Sequence, residues 1–440
     1  MNIFFNKSKL LIFAILFLTG CQQKKISKMM NDAEILHQNE DQLTQIIIYD
    51  IFTPPVAARI YTYASIASYE AIRFSKEGAG SIAEKLRGFG KMPQPEKGKS
   101  YNYTLAATRA FFTVVRNVKV FSVDSLKNYE ESVFSNFKEN INDSTYKWSI
   151  DFGDAVAKVI LARAKDDGYI KSRGKPKYLG SEAPGKWRPT PPDYLDGVEW
   201  CWNTMTPMVL DSCSQFLPPP PPPYSTDTNS VFFKGLKEVY IIGKNLSEEQ
   251  KTIARYWDDN PFVIEHSGHM MFGNKKITPG GHWMGITAIA CKKSNADAVK
   301  TAQAYAMTSI ALYDAFIACW DEKYRTNYIR PITVINEKID PVWTPFLQTP
   351  PFPEYTSGHS TITRSAAVVL TELFGDNFAF QDTSDLRYIG MQRHFNSFVE
   401  AADEASISRV YGGIHYMVSV NEGANTGRKV GEFVIKKVLK

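Results

Sequence analysis

Apolar positions recur at three-to-four spacing along most of the chain, the period of a helix with one buried face. Residues 57–74, 104–115, 124–137, 149–164, 296–320, 361–374, 397–408 and 420–439 all carry it, and strand-like alternation is scarce. The pattern predicts an all-α fold. It lapses between residues 168 and 224, a stretch rich in Gly, Pro and Trp that closes on six consecutive prolines, Pro218 to Pro223. Such a run adopts polyproline II, which has no internal hydrogen bonds, and reads as a rigid surface connector.

One helical segment is repeated. Residues 58–71 match residues 302–315 with seven identities in fourteen, and Glu70 falls opposite Asp314. Duplication predicts two related helical bundles, one in residues 21–230 together with the proline-rich connector and one in residues 231–440. Residues 1–20 stand apart. Lys7 and Lys9 precede an apolar run over residues 10–18, too short to span a bilayer, which ends in Leu18-Thr19-Gly20-Cys21. This resembles a bacterial lipoprotein signal. The resemblance implies cleavage after Gly20, lipid on Cys21, and a body held at a cell-envelope membrane by its N-terminus alone, facing the periplasm or the surface.

Composition narrows the class. Apolar residues make up 44% of the 440 and charged residues 22%, ordinary for a globular protein and incompatible with global disorder. The net charge of +5 gives no electrostatic case for nucleic acid. An exported compartment permits disulfides, and Cys201 and Cys213, which share the loop-rich stretch, are the more plausible pair. Cys291 and Cys319 sit in helical patterns and read as buried thiols. No Cys-x-x-Cys occurs, which argues against a zinc ribbon or a thioredoxin-type site.

Candidate chemistry concentrates in the second half. Lys323 is followed after six residues by Arg330-Pro331, then by Ser357-Gly358-His359, then by Ser408-Arg409 and, five residues on, His415. These are three cations, a hydroxyl, a glycine amide and two imidazoles. Arginine offers a planar fork of donors matched to oxyanions. Ser357 stands where a helical pattern begins, and amides at a helix N-terminus seat anions. Two histidines suit a covalent or coordinating partner and an acid–base group. A second Ser-Gly-His at Ser267-Gly268-His269 lacks the flanking elements and reads as a loop. A metal site at Glu265, His266 and His269 is disfavoured by loose spacing, and His282 reads as structural.

The ordered set Lys-x6-Arg-Pro, Ser-Gly-His and Ser-Arg-x5-His resembles the signature of the type 2 phosphatidic acid phosphatase and vanadium haloperoxidase superfamily, and within it the vanadium-dependent haloperoxidases. The resemblance implies that His415 bonds vanadate through one ring nitrogen. Lys323, Arg330, Arg409, Ser357 and the Gly358 amide would hold its oxygens. His359 would take a proton from hydrogen peroxide, and Lys323 would polarise the peroxide for attack by halide. Trp320 and Phe352 would flank the halide side, where aromatic residues resemble the chloroperoxidase-like members. The same pocket implies an alternative, an acid phosphatase acting on phosphate esters through a phosphohistidine at His415. A non-catalytic, anion-binding lipoprotein is a third reading, disfavoured by the pair of histidines.

Two positions depart from the family pattern. Thr356 stands where the family usually has Pro, which is expected to loosen the loop. Ser419 stands where the family usually has an Asp that orients the imidazole, and a hydroxyl accepting from His415 would serve less well, which counts more against the phosphatase than against the peroxidase.

Overall fold

The computed structural model describes residues 31–118, 120–261, 263–267, 270–273 and 275–440. The leader, Cys21 and its lipidation, and the Gly268-His269 part of the second Ser-Gly-His lie outside the described residues, as do the side chains of Glu265 and His266.

Helices dominate. The first half forms α1 (Asp32–Tyr49), α2 (Pro54–Ile72), α3 (Tyr103–Asn117), α4 (Val123–Asn140), α5 (Asp143–Lys165) and α6 (Tyr169–Arg173). After the irregular stretch come α7 (Val231–Lys244), α8 (Glu248–Tyr256), α9 (Pro279–Lys293), α10 (Ala298–Thr326), α11 (Pro331–Lys338), α12 (Gly358–Phe374), α13 (Leu386–Ile389), α14 (Phe398–Tyr411) and α15 (Met417–Val438). Two antiparallel pairs interrupt them: β1 (Ile264–Ser267) with β2 (Met270–Gly273), and β3 (Phe380–Asp382) with β4 (Arg393–Phe395). All eight segments with helical periodicity are helices. Periodicity passes over α1, α7, α8, α9 and α11, and over the short α6 and α13. In α9 the reason is burial on most sides, which leaves little polar face to set a period. Among the described residues no helix is long and apolar enough to cross a membrane.

The repeat is visible as a shared device. α2 and α10 pack on each other, and the Thr62 hydroxyl of α2 donates to the Ser309 carbonyl of α10 at 2.8 Å. Glu70 accepts from the amides of Ile82 and Ala83 at 2.7 and 2.8 Å; its counterpart Asp314 accepts from those of Met208, Val209 and Leu210 at 2.6–3.0 Å. Each buried carboxylate thus gathers backbone donors of a loop lying across its helix. One apolar core runs from Leu36 on α1 to Val438 on α15, so both halves contribute to it.

The irregular stretch is anchored. The Tyr355 and Tyr328 hydroxyls donate to the carbonyls of Pro219 and Pro222 at 2.5 and 2.6 Å, which lays the polyproline run against the second half. The expected Cys201–Cys213 bond is not formed, and all four described cysteines are free. Cys213 is hydrogen-bonded to Asp321, whereas Cys201 lies in the field of Lys175, Arg173 and Glu199, so the two thiols face different neighbours.

Helix α15 seats α12, which carries two of the motif residues. Gly423, Gly427 and Gly431 form a stripe along α15. A Cβ at Gly423 or Gly431 would come within 2.8 Å of the Ser357 or Ser365 carbonyl, and one at Gly427 would overlap the Thr361 carbonyl. Bare backbone at these positions lets the two helices touch.

Candidate active site

Five elements meet around one cavity. Lys323 comes from the last turn of α10, Arg330 from the cap of α11, Ser357 and His359 from the start of α12, Arg409 from the last turn of α14, and His415 from the loop before α15. Gly358, His359, Arg409, His415, Trp320 and Phe352 line the cavity. Of the other motif residues, Arg330 is bonded to His415 and Lys323 to the Thr356 carbonyl next to Ser357.

The cations are buried and held by backbone oxygens. Lys323 Nζ donates to the carbonyls of Pro353, Glu354 and Thr356 at 3.0, 3.0 and 2.5 Å. Arg330 Nε donates to the Phe352 carbonyl at 3.0 Å and Nη1 to that of Ile414 at 2.7 Å. Arg409 donates to the Ser408 hydroxyl at 2.9 Å and to the Trp257 carbonyl at 2.5 Å. Burial depresses all three, taking Lys323 down to about 7 and Arg330 down to about 10. Clustered buried cations of this kind are stabilised when an anion enters.

His415 is oriented by a carboxylate that sequence reasoning missed. Its Nδ1 donates to Glu354 Oε1 at 2.8 Å, and the Tyr416 amide donates to the same oxygen at 2.9 Å. The Ser419 hydroxyl donates to Glu354 Oε2 at 2.6 Å. Ser419 thus acts through Glu354 and does not itself accept from the imidazole. Glu354 is fully buried, and burial raises it to about 7 against the pull of Arg330 and of its hydrogen bonds. The Nδ1 proton leaves Nε2 with a lone pair, which accepts from Arg330 Nη1 at 3.3 Å. Burial, then Arg330, Lys323 and Arg409, hold the His415 pKa well below the usual range, so the ring is neutral and Nε2 is a Lewis base. Glu354 stands within the Phe-Pro-Glu-Tyr-Thr run ahead of Ser357; no spacing rule ties it to a histidine sixty-one positions on.

The start of α12 is equally organised. Ser357 caps the helix, its hydroxyl accepting from the Ser360 amide at 3.3 Å and the Ser360 hydroxyl at 2.9 Å. A Cβ on Gly358 would rest in ordinary van der Waals contact with Trp320 and Lys323, at 3.6 and 3.9 Å, so no clash within the protein requires glycine here. His359 Nε2 is buried without a hydrogen-bond partner, and Asp259 Oδ2 lies 3.9 Å away. Burial, then Arg409, keeps His359 neutral. Arg330 Nη2 is likewise buried and unpartnered. Two orphaned donors or acceptors, a bare amide and a Lewis-basic Nε2 around one cavity fit a small oxyanion such as vanadate or phosphate.

Trp320 and Phe352 pack at 5.0 Å between centroids, and Lys323 Nζ lies 5.9 and 5.0 Å from their rings. Thr356 does not loosen its loop: it is buried, and its carbonyl accepts from Lys323. His282 is neither loop nor surface. It lies on α9, buried among carboxylates.

Comparison with known proteins agrees with this geometry. The VCPO second helical-bundle domain family matches residues 303–342 and 337–440. A bacterial vanadium-dependent iodoperoxidase of solved structure is 46% identical, with 93% of this chain and 98% of that chain covered and a TM-score of 0.88. Holo and apo structures of a bacterial vanadium-dependent chloroperoxidase share the fold at 17% identity. They cover 89% and 88% of this chain and 93% and 94% of theirs, with TM-scores of 0.66 and 0.68. No curated protein sequence matches.

Proposed function

The chain belongs to the vanadium-dependent haloperoxidases, and we propose that it oxidises iodide with hydrogen peroxide, using vanadate held in the Lys323–Arg330–Arg409 cavity. The observation that carries this is the orphaned pair, Arg330 Nη2 and His359 Nε2, beside a cavity lined by His359 and by His415 with its unprotonated Nε2. Iodide is proposed because the 46%-identical relative is an iodoperoxidase. The aromatic pair Trp320 and Phe352, which resembles the chloroperoxidase-like pattern, does not by itself select the halide.

Bound vanadate supplies a Lewis acid that activates peroxide without changing its own oxidation state. The residues then divide the work. His415 Nε2 offers the ligand lone pair, and Glu354 fixes the tautomer that exposes it. Arg330, Arg409 and Lys323 would offset the negative charge, while the Ser357 hydroxyl and Gly358 amide would hold oxygens. His359, neutral in the resting site, accepts the proton of entering hydrogen peroxide at Nε2. Lys323, beside the aromatic wall, would contribute positive charge next to the site where halide approaches.

The phosphatase reading is not favoured, since the 46%-identical relative is a vanadium-dependent iodoperoxidase. The argument against it from Ser419 no longer counts, because Glu354 supplies the carboxylate. Orthovanadate titration of the purified protein is the test: halide oxidation that appears with vanadate supports the reading. Phosphate-ester hydrolysis that vanadate inhibits, with no halide oxidation, refutes it. We further infer that Cys21 is lipidated and tethers the enzyme in the cell envelope; a Cys21→Ala variant that stays in the membrane fraction would count against this.

A further inference from the structure

A second buried charge cluster lies behind His359. His282 Nδ1 lies 3.1 and 3.2 Å from the two oxygens of Asp259, and Nε2 lies 3.0 Å from Asp382 Oδ2. Asp385 Oδ2 stands 3.7 Å from Nδ1. Trp257 stacks on the ring at 4.5 Å and Tyr256 meets it edge-on at 5.4 Å. Each ring nitrogen faces a carboxylate, so both carry protons and the ring is an imidazolium. Burial opposes that charge, but Asp259, Asp382 and Asp385 outweigh it and raise the pKa well above the ordinary value. Asp259, His282 and Asp385 are close enough to surround an ion, yet an imidazolium has no lone pair to give one.

The cluster forms the wall between two cavities. On one side Asp259 and His359 line the active site. On the other, Ser384 and Arg387, which flank Asp385 in the chain, line a second cavity with Glu40, Lys292 and His37. That cavity has a mixed lining that includes ionisable side chains, and it is roomy enough for water. Burial raises Asp385 to about 7, with His282 and Lys276 pulling down and Asp259 and Asp382 pushing up. Lys276 is itself paired with Asp258 at 2.5 Å.

Haloperoxidation gives this arrangement a task. Halide loses two electrons to peroxide, the O–O bond breaks, one oxygen–halogen bond forms, and one proton is consumed per hypohalous acid and water produced. Resting on the haloperoxidase reading, we propose that Asp385, His282 and Asp259 form a proton relay that carries this proton from the second cavity to His359. His282 gives its Nδ1 proton to Asp259, which passes it through one bridging water across the 3.9 Å gap to His359 Nε2. Asp385 restores the Nδ1 proton and is itself recharged by water, while Asp382 holds the Nε2 proton and fixes the ring. Each pass moves one proton and returns every group to its starting state.

The test compares vanadate-loaded wild type with Asp385→Asn. The variant should lose at least ~10-fold in kcat, with little change in KM for iodide, and small buffer acids such as imidazole should restore part of the rate. An unchanged kcat, or a loss that no buffer acid relieves, overturns the relay in favour of a structural role. A wild type that oxidises no halide refutes the proposed function instead. A readout free of turnover and of the variant's folding is ¹⁵N NMR of the vanadate-free wild type. His282 should stay protonated on both nitrogens from about pH 6 to 9, and a neutral ring in that range would end the proposal.

Discussion

The Ser419 hydroxyl donates to Glu354 Oε2 at 2.6 Å, and the opposite oxygen of the same carboxylate takes the His415 Nδ1 proton at 2.8 Å. The orienting carboxylate is therefore present, but on a different element from the one where the family pattern places it. Introducing a second carboxylate with Ser419→Asp sets two buried acids side by side, one of which must then protonate. Ser419→Asp should lower vanadate affinity, and Glu354→Gln should lower it by roughly 10–100-fold, the scale for partners of a ligating histidine. Equilibrium titration with vanadate measures both; tighter binding in Ser419→Asp would contradict the Glu354 assignment.

Arg330 and Arg409 should each contribute about 1.5–3 kcal/mol to oxyanion binding, the range for charge-assisted hydrogen bonds. Alanine at either position is read by the same titration. Arg109→Ala is the control, because Arg109 pairs with Asp154 and Glu130 in the first half. His415→Ala should abolish halide oxidation and leave circular dichroism unchanged.

Glu40 offers a pH test of stability. Burial raises it from 4.5 to about 8, against a hydrogen bond from Ser65. The folded state thus holds a proton that the unfolded chain releases above pH 4.5. The contribution is complete below that value and is lost as pH rises toward 8. Glu40→Gln imitates the protonated acid, so its melting temperature should match wild type near pH 5 and exceed it increasingly up to pH 9. Parallel curves would show that Glu40 is ionised in the fold.

Gly427→Ala should destabilise by about 1–3 kcal/mol or more, because the added methyl overlaps the Thr361 backbone and nothing flexible can yield. Urea unfolding measures the loss. Vanadate affinity should fall with it, since α12 carries Ser357 and His359.

Reduction should leave the fold untouched. With Cys201 and Cys213 both free, dithiothreitol is expected to leave the melting temperature within about 1 °C, whereas a disulfide closing that short loop would contribute about 3 kcal/mol. A clear drop on reduction would reinstate the pair.

The sequence alone determined the helical class, the repeat and the ordered cationic motif, because helical period and motif spacing are local properties of a chain. The eight periodic segments all became helices, and of the motif Gly358, His359, Arg409 and His415 line one cavity, with Arg330 bonded to His415 and Lys323 to the loop ahead of Ser357. Tertiary structure decided the rest. α9 is buried on most sides and shows no period, so the sequence assigns His282 only a structural role, and its helix places it between Asp259 and Asp382. Glu354 had no motif to announce it, because its partners His415 and Ser419 are neighbours only in space. Hydrogen bonds across sixty residues, and the depth at which a carboxylate is buried, depend on how helices pack; no local pattern encodes them.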